Sequence, residues 1–96
     1  MKILAIEKQV PGTTADDFRP YLASEAGMLW ELYQSGAVRE FYFRQDQNTA
    51  VLVLECANVE QAQSVLSTLP LVREGLIAFD VIPLRPYAGF ARLFAT

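Results

Sequence analysis

Hydrophobic and polar positions along the chain follow two periods, one typical of strands and one typical of helices. Four short runs rich in branched apolar residues predict strands at 2–10, 38–44, 49–57 and 76–84. Two segments with apolar residues at spacings of three and four predict helices, one between Thr14 and Gly36 and one between Asn58 and Pro70. The predicted order is therefore βαββαβ.

Both predicted helices carry start and stop signals. Thr14 precedes two acids at the start of the first helix, where they face the positive end of its dipole, and Gly36 marks its end. Pro20 predicts a kink in its early turns. Asn58 and Gln61 resemble a capping box for the second helix. The sequence thus predicts an α+β domain with a ferredoxin-like, four-stranded antiparallel sheet, spanning residues 1–96 as a single domain.

The strands are apolar on both sides, unlike strands of a sheet with one face in water. Val51 and Val53 point one way, and Leu52, Leu54 and Cys56 point the other. Two helices cover only one face, so we expect a second copy of the chain to cover the other through a two-fold axis, in a homodimer or a multiple of dimers. The apolar C-terminal arm, 86–96, is also expected to pack on a neighbour. The alternatives are an exposed apolar face and an arm that folds back on its own chain.

Composition narrows the partners. The net charge is −3 and the eight basic residues are dispersed, which argues against nucleic acid and anionic membranes as targets. There is no run long enough for a membrane span, and Cys56 is the sole cysteine, so a cytoplasmic location is expected. The chain has no histidine, which removes the commonest general base and metal ligand. No phosphate-binding loop or metal-ligand cluster is present, so no cofactor is predicted.

Glu25 is the main candidate for chemistry because it interrupts the apolar stripe of the first helix, between Leu22 and Leu29. A carboxylate that points inward loses hydration, so we predict that its pKa is raised and that it lies at a pocket wall. It is a candidate general base, or else a structural ion-pair partner of Arg39. Arg39 is a candidate clamp for a substrate carboxylate.

Tyr42 is the third candidate catalytic residue, because its hydroxyl could hydrogen-bond a carbonyl or enolate oxygen. It is expected to share one face of its strand with Glu40. Candidate substrate-binding residues are Tyr21, Met28 and Phe41, although aromatic and methionine side chains are often simple core. Three acids in otherwise apolar strands are interpreted as polar contacts of the dimer interface: Glu7, Glu55 and Asp80.

Several of these residues together resemble the muconolactone isomerase-like group of the dimeric α/β-barrel superfamily. The likeness rests on Glu25 followed by Gly36 and Arg39, on Glu55 followed by Val59-Glu60, and on Leu69-Pro70-Leu71 followed by Asp80 and Pro86. The chain departs from the isomerase pattern in having no histidine and in having Glu40 after Arg39.

The resemblance implies a cofactor-free protein that isomerises a small unsaturated lactone or carboxylate by moving one proton. Two alternatives stay open. One is a non-catalytic module that binds a small ligand or serves in assembly, and the other is a cofactor-free monooxygenase of the same superfamily.

Overall fold

A computed structural model describes residues 1–95 of the chain. The strands are β1 (Lys2–Gln9), β2 (Val38–Phe43), β3 (Ala50–Glu55) and β4 (Ile77–Pro83). The helices are α1 (Ala15–Phe18), α2 (Leu22–Ser35), α3 (Val59–Leu66) and α4 (Pro70–Arg73), with 3-10 turns at Arg19–Tyr21 and Gly89–Leu93. All strand pairs are antiparallel, and the order across the sheet is β2-β3-β1-β4. The predicted α+β, ferredoxin-like fold is confirmed.

The first predicted helix is divided where its proline lies. Thr14 donates its backbone N–H to the Asp17 carboxylate at 2.8 Å, and α1 begins at the next residue. Pro20 has no N–H to donate to the preceding turn, and here the chain passes through a 3-10 turn before α2 begins. Gly36 ends α2 in the left-handed region, at φ 82°, which a glycine adopts without steric cost.

The second predicted helix is shorter than expected. The Asn58 side chain accepts from the Gln61 N–H at 2.8 Å, which confirms the cap, but α3 ends at Leu66 rather than running to Pro70. Ser67 and Thr68 turn their hydroxyls onto backbone carbonyls three residues earlier and so compete with the helical hydrogen bonds. A further short helix, α4, follows and begins at Pro70, because proline is well suited to a first helical position.

The core lies between the helices and one side of the sheet, which we call the helix face. Ile3 pairs with Leu54 and Ala5 with Leu52 across β1 and β3, and all four side chains are buried on this side. The residues of α3 and of the segment after it that complete the core are Ala62, Leu66 and Leu69. The strand register therefore fixes which residues of β1 face the helices: Ile3, Ala5 and, two positions further, Glu7.

The other side of the sheet, which we call the open face, carries the alternate residues of the same strands. Its apolar members are partly or largely exposed: Leu4, Ile6, Val51, Val53 and Ile82. Tyr42 and Glu40 also lie here, opposite Val51 and Val53 of β3, as predicted for their shared face. The helices pack on the helix face, so the open face has no cover within the described part of this chain.

The C-terminal arm does not fold back on its own domain. Its large apolar side chains are 67–81% exposed: Tyr87, Phe90, Leu93 and Phe94. The radius of gyration is 15.9 Å and the longest dimension 61 Å, whereas a compact domain of this length has a radius of gyration of about 13 Å. The alternative that the arm covers its own chain is thus wrong for residues 86–95, and Thr96, the last residue of the predicted arm, lies outside the described residues. None of the helices in residues 1–95 has the length and apolar character of a membrane span.

Candidate functional site

Glu25 lies in the first turn of α2 and points into the core, as its place in the apolar stripe predicts. Its side chain is only 8% exposed, and one carboxylate oxygen accepts from the Leu71 N–H at 3.0 Å. This N–H belongs to the first turn of α4, where backbone donors have no partner within the helix. The carboxylate therefore caps α4 from a distant part of the chain and also faces a cavity.

Glu7 is the second carboxylate of this region, and its expected location on a dimer interface is wrong. It lies on the helix face of β1, opposite Phe79 of β4, and its carboxylate accepts from the Ala50 N–H at 2.9 Å. The strand pattern could not have shown this, because the alternate residues Leu4 and Ile6 of the other side are apolar as well. The other two acids of that group do lie elsewhere: Asp80 pairs with Lys8 at 3.0 Å, and Glu55 with the terminal ammonium at 3.0 Å.

A cavity of about 260 Å³ lies between α2, α4 and the helix face of the sheet. Glu7, Glu25 and Asn48 are its polar lining residues. The apolar lining comes from both helices, three strands and the segments next to them: Phe18, Leu22, Ala26, Leu29, Phe43, Ala50, Leu52, Leu69, Leu71, Ile77 and Phe79. Within residues 1–95, no lysine or arginine lines it. Sequence reasoning missed most of this wall, because its members come from distant segments.

The cavity opens into a shallower cleft beside the loop after β1. Glu7, Phe18, Leu22 and Asn48 line both spaces. The cleft adds the uncharged side chains of Gln9, Thr13, Thr14 and Ala15. Leu22, expected inside with the rest of the helical stripe, is 51% exposed because it lies at this mouth. Among residues 1–95, the lining of the cleft thus includes no lysine or arginine.

Both carboxyl groups of the cavity have raised pKa values. Burial raises the pKa of Glu25, the hydrogen bond from Leu71 opposes this, and the nearby Glu7 charge raises it further. Burial likewise raises the pKa of Glu7, against the hydrogen bond from Ala50. Glu25 lines the cavity and the direction of its pKa agrees with the prediction, whereas its role as a base stays a prediction. The pKa of Glu25 is raised by desolvation and by the charge of the second acid, Glu7.

Arg39 is not near Glu25, so the expected ion pair between them is wrong. Its guanidinium donates from Nε to the Gly36 carbonyl at 2.6 Å, beyond the end of α2. Glu25 lies eleven residues earlier than Gly36, about 16 Å away along a helix axis. Among the ion pairs within residues 1–95, none involves either residue. Arg39 therefore caps the end of α2 and does not line the cavity.

Tyr42 is on the opposite side of the sheet from Glu25. Its hydroxyl donates to the Glu40 carboxylate at 2.7 Å, and this hydrogen bond raises the pKa of the tyrosine. The side chain is 57% exposed on the open face. Within one chain the three candidate catalytic residues are therefore not brought together: Glu25 faces the cavity, Arg39 the end of α2, and Tyr42 the open face.

The three candidate substrate-binding residues also lie outside the cavity lining. Tyr21 ends the 3-10 turn before α2 and is partly buried. Met28 packs against the core, as does Phe41. Phe41 also makes an edge contact with Tyr33, with ring centroids 5.9 Å apart, in a surface groove next to the cavity. The ordinary packing role that aromatic and methionine residues often have describes these positions better.

Comparison with known proteins gives the fold a precedent. No protein-family model and no curated protein matches the chain. Among solved structures, muconolactone isomerase aligns with a TM-score of 0.75 at 18% identity, over 92% of each chain. The 5-chloro-2-hydroxyhydroquinone dehydrochlorinase of Burkholderia phenoliruptrix, solved with 2,5-dihydroxybenzoquinone, aligns with a TM-score of 0.72 at 17% identity, over 93% of this chain and 98% of that one. The resemblance to the muconolactone isomerase-like group is thereby confirmed as one of fold.

Proposed function

We propose that this chain acts on a small unsaturated ring compound and that Glu25 moves a proton on it without a cofactor. The observation that carries the proposal is a buried carboxyl with a raised pKa at the wall of an apolar cavity. A general base works best when its pKa lies near the working pH, and desolvation moves Glu25 in that direction. The two solved relatives of the same fold, an isomerase and a dehydrochlorinase of small ring compounds, support the same class of substrate.

The proposed step is an allylic proton shift. The Glu25 carboxylate takes a proton from a carbon next to a carbonyl group, and the electrons of the broken C–H bond pass into an enolate. The resulting carboxylic acid returns the proton to the far carbon of the conjugated system, so that the double bond moves and the carboxylate is regenerated. The apolar walls exclude water, which would otherwise compete for the proton.

Proton exchange into deuterium oxide tests this role directly. Unsaturated γ-lactones without a carboxylate substituent would be incubated with the protein and followed by proton NMR. General-base catalysis contributes about 10²–10⁴-fold, so Glu25→Gln is expected to lose exchange by at least about a hundredfold. Glu31→Gln is the matched control, because Glu31 is an exposed acid of the same helix. Full exchange by a folded Glu25→Gln protein would contradict the proposal.

A non-catalytic binding role is the second candidate, and the hydrogen bond between Glu25 and Leu71 favours it. If capping α4 is all that this carboxylate does, Glu25→Gln would bind small ring compounds as the parent protein does. The parent protein would then show no exchange above the buffer rate with any lactone.

We also propose that the working form is a homodimer, joined through the open face. The partly exposed valines and isoleucines of that face and the exposed aromatic arm support this, since large apolar patches are rare on monomers. Light scattering at micromolar concentration is expected to give a dimer mass or a multiple of it, and Val53→Asp a monomer mass. A monomer mass for the parent protein would contradict the proposed homodimer. Removal of residues 90–96 is expected to weaken association.

A further inference from the structure

Glu7 places a second carboxylate in the cavity, in addition to that of Glu25. Glu7 belongs to β1, and its carboxylate accepts from the Ala50 N–H of β3. Glu25 belongs to α2, and its carboxylate accepts from the Leu71 N–H of α4. These anchors keep both acids directed at the same space. They are the only titratable side chains that line it among residues 1–95.

No positive charge compensates the two acids. The cavity lining has no lysine or arginine, and the cleft at its mouth adds only neutral side chains. Two carboxylates that border one apolar space without a cation oppose each other's ionisation, so the second proton is lost less readily than the first. The negative charge of Glu7 likewise raises the pKa of Glu25.

The charge state decides which ligands fit. A carboxylate ligand would bring a further negative charge next to the ionised acid and would find no arginine or lysine there. An uncharged ring with a hydroxyl group can donate to the ionised acid, and a ring carbonyl can accept from the protonated one. The volume of about 260 Å³ lies below the roughly 300–1,000 Å³ of sites for drug-sized ligands, which indicates a single ring.

We propose that Glu7 and Glu25 form a carboxyl pair that holds one proton, and that this pair makes the cavity select uncharged hydroxylated or carbonyl-bearing rings over ring carboxylates. The inference rests on the proposed small-molecule role of the cavity and narrows its substrate class. Glu7 is in this account a specificity residue, whereas Glu25 is the base.

Two probes that differ by one carboxylate test the selection: hydroquinone and 2,5-dihydroxybenzoate. Titration calorimetry at neutral pH is expected to show binding of hydroquinone and at least about tenfold weaker binding of 2,5-dihydroxybenzoate, a gap of about 1.4 kcal/mol. Glu7→Gln alone leaves one ionised acid, Glu25, and so the same net charge as a pair that holds one proton. The double variant Glu7→Gln/Glu25→Gln removes both acids and keeps an acceptor for the Ala50 and Leu71 N–H groups. The double variant is expected to narrow the gap to about threefold or less. Glu55→Gln, which removes an exposed acid at the end of β3, is the matched control and is expected to leave the gap unchanged.

Equal or tighter binding of 2,5-dihydroxybenzoate by the parent protein would overturn the inference, as would binding of neither probe. An unchanged gap in the double variant would overturn the role assigned to the pair. Carbon-13 NMR titration gives a second readout, because the Glu25 pKa is expected to fall in Glu7→Gln. These failures are separate from failure of the proposed function: loss of lactone exchange in Glu25→Gln tests the base, and probe selectivity tests the pair.

Discussion

The two faces of the sheet carry polar groups in opposite ways. On the open face every acid named above has a partner of its own: Asp80 has Lys8, and Glu40 has the Tyr42 hydroxyl. On the helix face Glu7 and Glu25 receive only backbone N–H groups and border the same cavity without a cation. Partnered polar groups suit a surface that meets water or another chain. Uncompensated acids in an apolar space oppose each other's ionisation, which is the basis of the proton-transfer role proposed above.

The largest expected difference between the faces is in packing. Leu54 and Val53 are neighbours on β3, and Leu54 is fully buried on the helix face whereas Val53 is partly exposed on the open face. Leu54→Ala is expected to lower the free energy of unfolding by about 2–5 kcal/mol. In dilute protein Val53→Ala is expected to cost much less.

Urea denaturation over a range of protein concentrations checks this comparison. The loss from Val53→Ala is expected to grow with concentration if the open face is buried in a dimer, because association then contributes to stability. Equal losses from the two variants at the lowest concentration would contradict the distinction between the faces.

The second prediction concerns the pH dependence of stability set by the helix face. Glu7 and Glu25 have pKa values raised above those of the unfolded chain. Their contribution is therefore most favourable below the ordinary glutamate pKa, decreases as pH rises from that value through the raised values, and then levels off. Glu25→Gln is expected to flatten this decrease and to be at least as stable as the parent at neutral pH. Urea midpoints from acid to neutral pH measure it, with Glu31→Gln as the control.

A marked loss of stability in Glu25→Gln at neutral pH would show that the ionised form is what α4 needs at its first turn. It would make Glu25 a structural cap rather than a base. The same variant therefore separates the two roles of this residue by stability as well as by proton exchange.

The third prediction concerns Glu55 at the end of β3, where the pH dependence of stability has the opposite sign. The hydrogen bond from the terminal ammonium holds the pKa of Glu55 below its usual range. Its contribution is thus present above the ordinary glutamate pKa and lost as pH falls through the lowered one. The pair is exposed, so the effect on stability is small. Acetylation of the amino terminus is expected to return the Glu55 pKa toward its ordinary value in an NMR titration, and an unchanged pKa would refute the pairing.

The smallest effect is expected at Arg39. Lysine would lose the Nε–H bond to the Gly36 carbonyl and cost about 0.5–1.5 kcal/mol, the usual net worth of one hydrogen bond. Affinity for hydroquinone is expected to stay unchanged in calorimetry, because Arg39 does not line the cavity. A fall of about tenfold in affinity with no loss of stability would show that Arg39 belongs to the binding site. It would contradict the distinction drawn here between the two ends of α2.

Three residues show which parts of the site could be predicted from the sequence. The inward direction of Glu25 followed from its helical spacing, because neighbours on one helix are fixed by local geometry. Glu7 was assigned to an interface because a strand pattern alone does not say which side the helices cover. Arg39 was expected beside Glu25, but the two residues lie at opposite ends of α2. The length of that helix keeps them apart.

The sequence by itself determined the element order, the caps at Thr14, Asn58 and Gly36, and the apolar character of both strand faces. These features depend on residues within a few positions of one another, so periodicity and capping chemistry are enough to predict them. Only the tertiary structure decided which acids share the cavity. The hydrogen bonds that aim Glu7 and Glu25 join residues 43 and 46 positions apart, and such contacts follow from strand register and from the packing of α4 against α2, which no local pattern specifies.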